Sequence, residues 1–140
     1  VVHTLNGKSI HKLQCYWRIA TGSLPNDNPL QIGRYHFLEL DRLSQASNHS
    51  CHPNCILVKV STLVAVRNID AGEEITYDYS MTVAPGFLSY LFFRMKCKCG
   101  APDCQQIIRN ISCTRRSVIQ WHAGCGGLQD FMKEILNIAS

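Results

Sequence analysis

The chain has 140 residues, 46% hydrophobic and 17% charged, with a formal net charge of +4. That length suits one domain with a sizeable core, and no apolar run is long enough to span a bilayer. The mild positive charge, with no dense Lys/Arg patch among aromatics, argues against direct nucleic-acid binding. The outlier is the count of eight cysteines. In a secreted chain an even number suggests disulfides. Here Cys97, Cys99 and Cys104 stand too close together for three convenient bridges, and metal binding in a reducing compartment explains them better. The protein is therefore read as intracellular, with no membrane partner. The first residue is Val1 rather than Met and no signal peptide opens the chain, so further residues are expected upstream.

In chain order, Val1 to Leu5 reads as a strand followed by a turn at Asn6-Gly7. Leu13 to Ala20 alternates loosely and is predicted as a second strand. Gly22 to Pro29 holds Gly, Ser, two Pro, two Asn and an Asp, the composition of a loop. Leu30 to Leu40 contains a strand near Gln31-Ile32 and an apolar patch at Tyr35, Phe37 and Leu38. Asp41 to Ser47 suits a short helical turn. His3, His11 and His36 read as surface or packed histidines. Ile56 to Val60 and Leu63 to Val66 are β-branched runs joined by Ser61-Thr62, which predicts a hairpin. Asp70-Ala71-Gly72 makes a turn and Glu73 to Tyr79 reads as a strand.

Gly86 to Met95 is rich in aromatics and suits a short helix, either covering apolar surface or walling a channel. Ile107 to Cys113 looks extended or irregular. Ser117 to His122 starts a helix. Leu128, Phe131, Met132, Ile135 and Leu136 recur at helical spacing after Gly126-Gly127, so they give one core-facing stripe.

Three short runs carry the chemistry. Asn48 to Cys55 reads Asn-His-Ser-Cys-His-Pro-Asn-Cys, with no helical or strand period, and predicts a tight hydrogen-bonded loop. Pro53 fixes its own φ and pushes His52 away from helix. Gly72 to Tyr79 reads Gly-Glu-Glu-Ile-Thr-Tyr-Asp-Tyr, and Cys97 to Cys104 reads Cys-Lys-Cys-Gly-Ala-Pro-Asp-Cys. Taken singly, the first is a polar turn with buried thiols, and Tyr77 and Tyr79 are alternate packing residues of a strand. The last offers three thiolates at metal-ligand spacing, and zinc in a structural site wants a fourth.

In this order, over about residues 48 to 108, the runs resemble the SET-domain protein lysine methyltransferases with a zinc-bearing post-SET segment. The resemblance implies a mainly β fold with short helices, of the SET β-clip type. Its Asn-His loop and Gly-Glu-Glu strand thread past each other in a knot-like crossing. A post-SET zinc loop follows, and the helical stripe after it gives a C-terminal helix. It implies S-adenosylmethionine as methyl donor, with Asn48 and His49 as cofactor-binding residues. Tyr79 is implied beside the transferring methyl, serving both catalysis and the cofactor. Tyr77 is implied in the second aromatic position, where a tyrosine goes with monomethylation. The implied zinc ligands are Cys97, Cys99 and Cys104, with the Cys directly after Pro-Asn, Cys55, as the fourth. Cys15, Cys51, Cys113 and Cys125 are then left as core thiols. Glu73, Glu74 and Asp78 become scaffold or surface charges rather than bases.

Two features depart from the family pattern. No Gly-x-Gly precedes Asn48, so the front of the domain is expected before Val1. The triplet ahead of Asn48 is Gln45-Ala46-Ser47 rather than Arg-Phe-Ile or similar. The expected division is a SET domain over 1–80, a linker and post-SET zinc segment over 81–108, and a helical extension over 109–140. The expected function is methylation of a protein lysine, on a histone tail or elsewhere. The setting is chromatin in a eukaryote or cytoplasm in a bacterium. The alternatives are a SET-like interaction module without turnover and, on the zinc cluster alone, a nucleic-acid-binding domain.

Overall fold

The computed structural model describes residues 2–24 and 29–138. Val1 and positions 25–28 of the predicted loop lie outside the described residues. Strand β1 (His3–Thr4) leads through Asn6 into β2 (Gly7–His11). The next stretch is a helix, α1 (Lys12–Ala20), and not the predicted strand. The spacing explains the correction. Cys15 and Tyr16 turn inward, while Leu13 and Trp17, four apart, share an exposed face. His11 caps the helix, its Nδ1 accepting from the Leu13 amide at 3.2 Å.

The remaining strands are short. They are β3 (Leu30–Gln31), β4 (His36–Leu40), β5 (Asn48–His49), β6 (Cys55–Val58), β7 (Thr62–Ala65) and β8 (Thr76–Tyr77). A 3₁₀ turn at Ser44–Ala46 leads into β5, where a short helical turn was expected. Helix α2 (Phe87–Phe92), strands β9 (Met95–Lys96) and β10 (Ile107–Ile108), and helices α3 (Arg116–Gly124) and α4 (Asp130–Leu136) complete the described chain.

Four small sheets result: β1-β7-β6, β2-β4-β3, β9-β10 and β5-β8. The predicted hairpin is β6-β7, with its turn at Lys59-Val60-Ser61 rather than at Ser61-Thr62. Thr62 already pairs with Val58, and Lys59 takes the left-handed conformation with φ 55°. Gly7 faces Leu40 across β2-β4 so closely that a Cβ there would lie 2.1 Å from the Glu39 carbonyl oxygen.

Two clusters of buried side chains hold these pieces. The larger joins Leu5, Leu30, Phe37, Leu63, Tyr77 and Phe93. Burying each such side chain contributes roughly 1.5–3 kcal/mol. The smaller joins Met81, Ile111, Ile119, Leu128 and Met132, and seats α3 and α4. Gln31 connects the two regions. Its Oε1 accepts from the Ala84 amide at 2.8 Å, and its carbonyl accepts from Gln129 Nε2 at 3.0 Å.

Candidate active site and metal centre

Strands β5 and β8 run parallel, with Asn48 opposite Thr76 and His49 opposite Tyr77. A parallel pair cannot be closed by a tight turn, so residues 50 to 75 must loop out and return. Asn54, 1% exposed, locks that return. Its Oδ1 accepts from the Thr76 amide at 2.9 Å, and its Nδ2 donates to the Glu74 carbonyl at 2.8 Å and to Glu73 Oε1 at 3.0 Å. Glu73 also pairs with Arg67, and that bond, ahead of the one from Asn54, holds its carboxyl down to about 2. Glu73 is thus scaffold, as the sequence suggested. Glu74 accepts a hydrogen bond from Asn48 Nδ2.

The predicted strand over Glu73 to Tyr79 is shorter in the fold. Only Thr76–Tyr77 is strand, and the chain then tightens into a 3₁₀ turn at Tyr79–Thr82. Asp78 drives the change. Its Oδ1 caps that turn, accepting from the Ser80 amide at 2.9 Å and the Ser80 hydroxyl at 2.7 Å. The bend lets Tyr77 and Tyr79 pack together, their ring centroids 4.8 Å apart, rather than on one face two residues apart. Tyr79 donates its hydroxyl proton to the Ser47 carbonyl at 2.7 Å. Its amide donates to His49 Nδ1 at 3.2 Å. Burial pushes the His49 imidazole down to about 4, so the ring is neutral at pH 7 and can accept that bond.

Asn48, His49 and Tyr79 line one side of a cleft of about 950 Å³, and Phe92, Met95 and Lys96 line it from α2 and β9. The aromatic segment is divided, with Phe93 buried in the larger core. Phe92 reaches the cleft, whereas Phe87, Tyr90 and Leu91 are exposed. Tyr77 is 1% exposed and is not among the cleft-lining residues.

The thiols assemble differently from the expected set. Cys51, Cys97, Cys99 and Cys104 place their Sγ atoms within 4.8 Å of one another. Cys55 is not among them. It opens β6, where alternation puts it with Leu57 in the larger core at 0% exposure. Cys51 was left over in the sequence reading, yet it sits in the loop, free of strand alternation, 3.8 Å from Cys97 Sγ. Tetrahedral Zn–S bonds of about 2.3 Å require sulfurs roughly 3.8 Å apart, so the group needs only slight contraction to hold zinc. Burial raises the Cys97 thiol to about 11. Burial also pushes the Cys99 thiol up, but hydrogen bonds from the Cys51 and Ala101 amides and the neighbouring thiols outweigh it and bring it to about 6. Cys15 is buried as expected, but Cys113 and Cys125 are exposed and are not core thiols.

Cys51, Asn54 and the Ser47 carbonyl are the site elements that sequence reasoning missed. For Cys51 and Asn54 a signal existed, since both lie in the eight-residue loop. For a backbone carbonyl there was none.

Comparison with known proteins matches this arrangement. The SET domain family matches residues 14–80. Histone-lysine N-methyltransferase ASHR3 of Arabidopsis thaliana is 39% identical over 70 residues, covering 44% of this chain and 12% of that protein. Histone-lysine N-methyltransferase trr of Drosophila melanogaster is 35% identical over 71 residues, 46% of this chain and 3% of its own length. The H3 lysine-4 specific enzyme of Debaryomyces hansenii is 37% identical over 65 residues, 41% and 6% respectively. The chain thus spans a small fraction of these relatives. Residues 14–80, which include the paired strands β5 and β8, are thus similar to the SET domain family.

Proposed function

We propose that this chain methylates the side-chain amine of a protein lysine, with S-adenosylmethionine as donor, in the cleft lined by Asn48, His49 and Tyr79. The observation that carries the reading is the position of Tyr79. Its ring lies at the cleft, its hydroxyl proton is committed to Ser47, and its amide is fixed by His49. A hydroxyl so held presents its oxygen as an acceptor, which can orient an incoming amine and take weak C–H···O contacts. When bound, S-adenosylmethionine supplies an electrophilic methyl on a positively charged sulfur. Neutral His49 adds no charge beside that cation, and Asn48 and Glu74 offer polar groups at the same wall. Alignment of donor and acceptor in the cleft supplies much of such a displacement. Desolvation keeps the acceptor amine neutral and nucleophilic.

Zinc, when bound, supplies a closed structural centre that holds the segment 97–104 against the Asn-His loop. Cys51, Cys97, Cys99 and Cys104 would hold it. The relatives' names support a histone as one substrate, and other protein lysines fit the same chemistry. Tyr77, packed on Tyr79, supports monomethylation as the main product. No helix among the described residues is long and apolar enough to cross a membrane. The proposed setting is intracellular, on chromatin in a eukaryote.

The test is titration calorimetry with S-adenosylmethionine, together with transfer of labelled methyl to core histones and lysine peptides. Folded, zinc-loaded protein that neither binds the donor nor transfers methyl would instead be the SET-like interaction module without turnover. The Gln45-Ala46-Ser47 triplet is the feature that favours that second reading.

A further inference from the structure

One ring, that of His49, touches three parts of the site. Its Nδ1 accepts from the Tyr79 amide at 3.2 Å, and its Nε2 lies 3.4 Å from Cys51 Sγ. The same Nδ1 is 3.6 Å from Asp78 Oδ1, and the side chain is 5% exposed. The bond from Tyr79 decides where the imidazole proton sits. A nitrogen that accepts an amide N–H carries no hydrogen, and a neutral imidazole carries one. The proton is therefore on Nε2, which donates it toward Cys51 Sγ. Asp78 does not draw it back to Nδ1. Its Oδ1 already accepts from the Ser80 amide and hydroxyl, and 3.6 Å is beyond hydrogen-bond reach.

Cys51 is the member of the thiol cluster that comes from outside the segment 97–104. Its sulfur takes a second N–H, from the Gln105 amide at 3.5 Å. A thiol sulfur is a weak acceptor, whereas a metal-bound thiolate carries negative charge and holds N–H donors more strongly. Metal on the cluster thus favours the Nε2–H form of His49 and leaves Nδ1 open to Tyr79. A free Cys51 thiol can instead donate to Nε2. The ring proton then sits on Nδ1, where it meets the Tyr79 N–H donor to donor and the contact breaks.

We propose that His49 is a positioning residue that couples metal at the thiol cluster to the seating of Tyr79: zinc on Cys51 fixes the Nε2–H tautomer, and that tautomer holds the Tyr79 amide. The inference rests on the zinc and methyltransferase readings. It gives the metal a part in placing the tyrosine, beyond holding the segment 97–104. Partners behind a metal ligand orient it and tune its affinity, and here the partner faces the cleft with its other nitrogen.

The test uses the full chain, zinc-loaded and after chelation, with nitrogen NMR of the His49 ring and hydrogen exchange of single amides. In the loaded protein the ring shows a protonated Nε2 and a bare Nδ1. On chelation the Tyr79 amide exchanges about tenfold faster, while the Thr76 amide, held by Asn54 Oδ1, keeps its rate. Equal acceleration at both amides overturns the proposal, since the metal then acts on the whole fold. So does a protonated Nδ1 in the loaded protein, or a chain that takes up no zinc. His49→Phe weakens zinc by about tenfold in chelator competition. His49→Asn offers Tyr79 an oxygen in place of Nδ1 but brings no N–H to Cys51. Tyr79 exchange in that variant is slow and indifferent to zinc. A response to zinc as large as in the unaltered chain overturns the proposal, because the signal then bypasses the ring. Should either variant fail to fold, the loaded and chelated states of the unaltered chain decide alone. No readout uses methyl transfer, so a chain that couples but never methylates keeps the coupling and loses the methyltransferase reading.

Discussion

His122 Nε2 stands 3.8 Å from Asp78 Oδ2, with the two side chains 2% and 0% exposed. Neither atom has a hydrogen-bond partner among the described residues, and His122 Nδ1 has none either. Asp78 lies between the two site tyrosines and is 3.6 Å from His49 Nδ1 on its other oxygen. Helix α3 therefore places a histidine behind the Tyr-Asp-Tyr turn, and the turn's carboxylate has an imidazole on each side.

Burial pushes His122 down to about 4 from an ordinary value of 6.5. Below pH 6.5 the unfolded chain binds a proton there that the folded chain refuses. Stability is thus full above pH 6.5 and falls as the pH drops toward 4. Between pH 7 and pH 5 the loss from this group is about 2 kcal/mol. Burial holds the Asp78 carboxyl above its ordinary value, so the folded state takes up that proton first and offsets part of the loss at the acid end. Urea unfolding at several pH values reads the slope. His122→Asn roughly halves it between pH 6.5 and 5, because buried His49 contributes a similar dependence, and an unchanged slope in that variant assigns the effect elsewhere.

The metal set gives a direct contrast between two cysteines four residues apart. Cys51→Ser loses tight zinc, and with it several kcal/mol of folding free energy. Cys55→Ala keeps one zinc per chain and loses about 1–2 kcal/mol through lost packing. Elemental analysis with thermal melting decides between them. Zinc lost from the Cys55 variant and kept in the Cys51 variant would restore the ligand set expected from the sequence.

That contrast shows what the sequence carried and what it withheld. The three motifs, α2 and the α4 stripe were legible because each is local: a short dense run or a helical period. The misassigned Leu13 to Ala20 contains both loose alternation and a four-residue spacing, and only packing of Cys15 and Tyr16 against the sheet selects the helix. The fourth thiol of the cluster was missed because the choice between Cys51 and Cys55 depends on where β6 begins. One residue inside a strand commits a side chain to the core; the loop leaves it free to turn. The Asn54 clamp and the Asp78–His122 approach join residues far apart in the chain, and no local pattern announces them.

Tyr79→Phe removes the hydroxyl at the cleft and leaves the Ser47 carbonyl without that donor. The expected outcome is a fall in kcat of about a hundredfold or more, with a stability loss of about 1–2 kcal/mol. Donor affinity changes little. Asn48→Ala does the reverse, weakening donor binding with a smaller effect on turnover at saturation. Calorimetry and initial rates separate the two. A Tyr79→Phe protein with normal turnover would remove Tyr79 from the chemistry.

Tyr77→Phe tests product choice. The ring stays packed on Tyr79, so the fold is retained, while the polar, space-filling hydroxyl is gone. The intact chain gives mainly monomethyl-lysine, and the variant shifts toward di- and trimethyl-lysine. Mass spectrometry at matched turnover reads the distribution. An unchanged distribution with altered stability makes Tyr77 a packing residue only.

Cys51 and Cys97 lie 46 residues apart in the chain. Closing a flexible segment of that length costs about 3 kcal/mol of chain entropy. During synthesis the loop thiol emerges well before its three partners, so it waits, reduced and uncoordinated, until the last of them leaves the ribosome. The pairing of β5 with β8 is complete in sequence by Tyr77, before any partner thiol exists. Assembly therefore has a built-in order, in which the β5-β8 pair can form first and the four thiols can come together over it afterwards. Oxidation of Cys51 in that interval would keep the four thiols from assembling, and the age of the nascent chain becomes a variable in how much fully assembled protein a cell obtains.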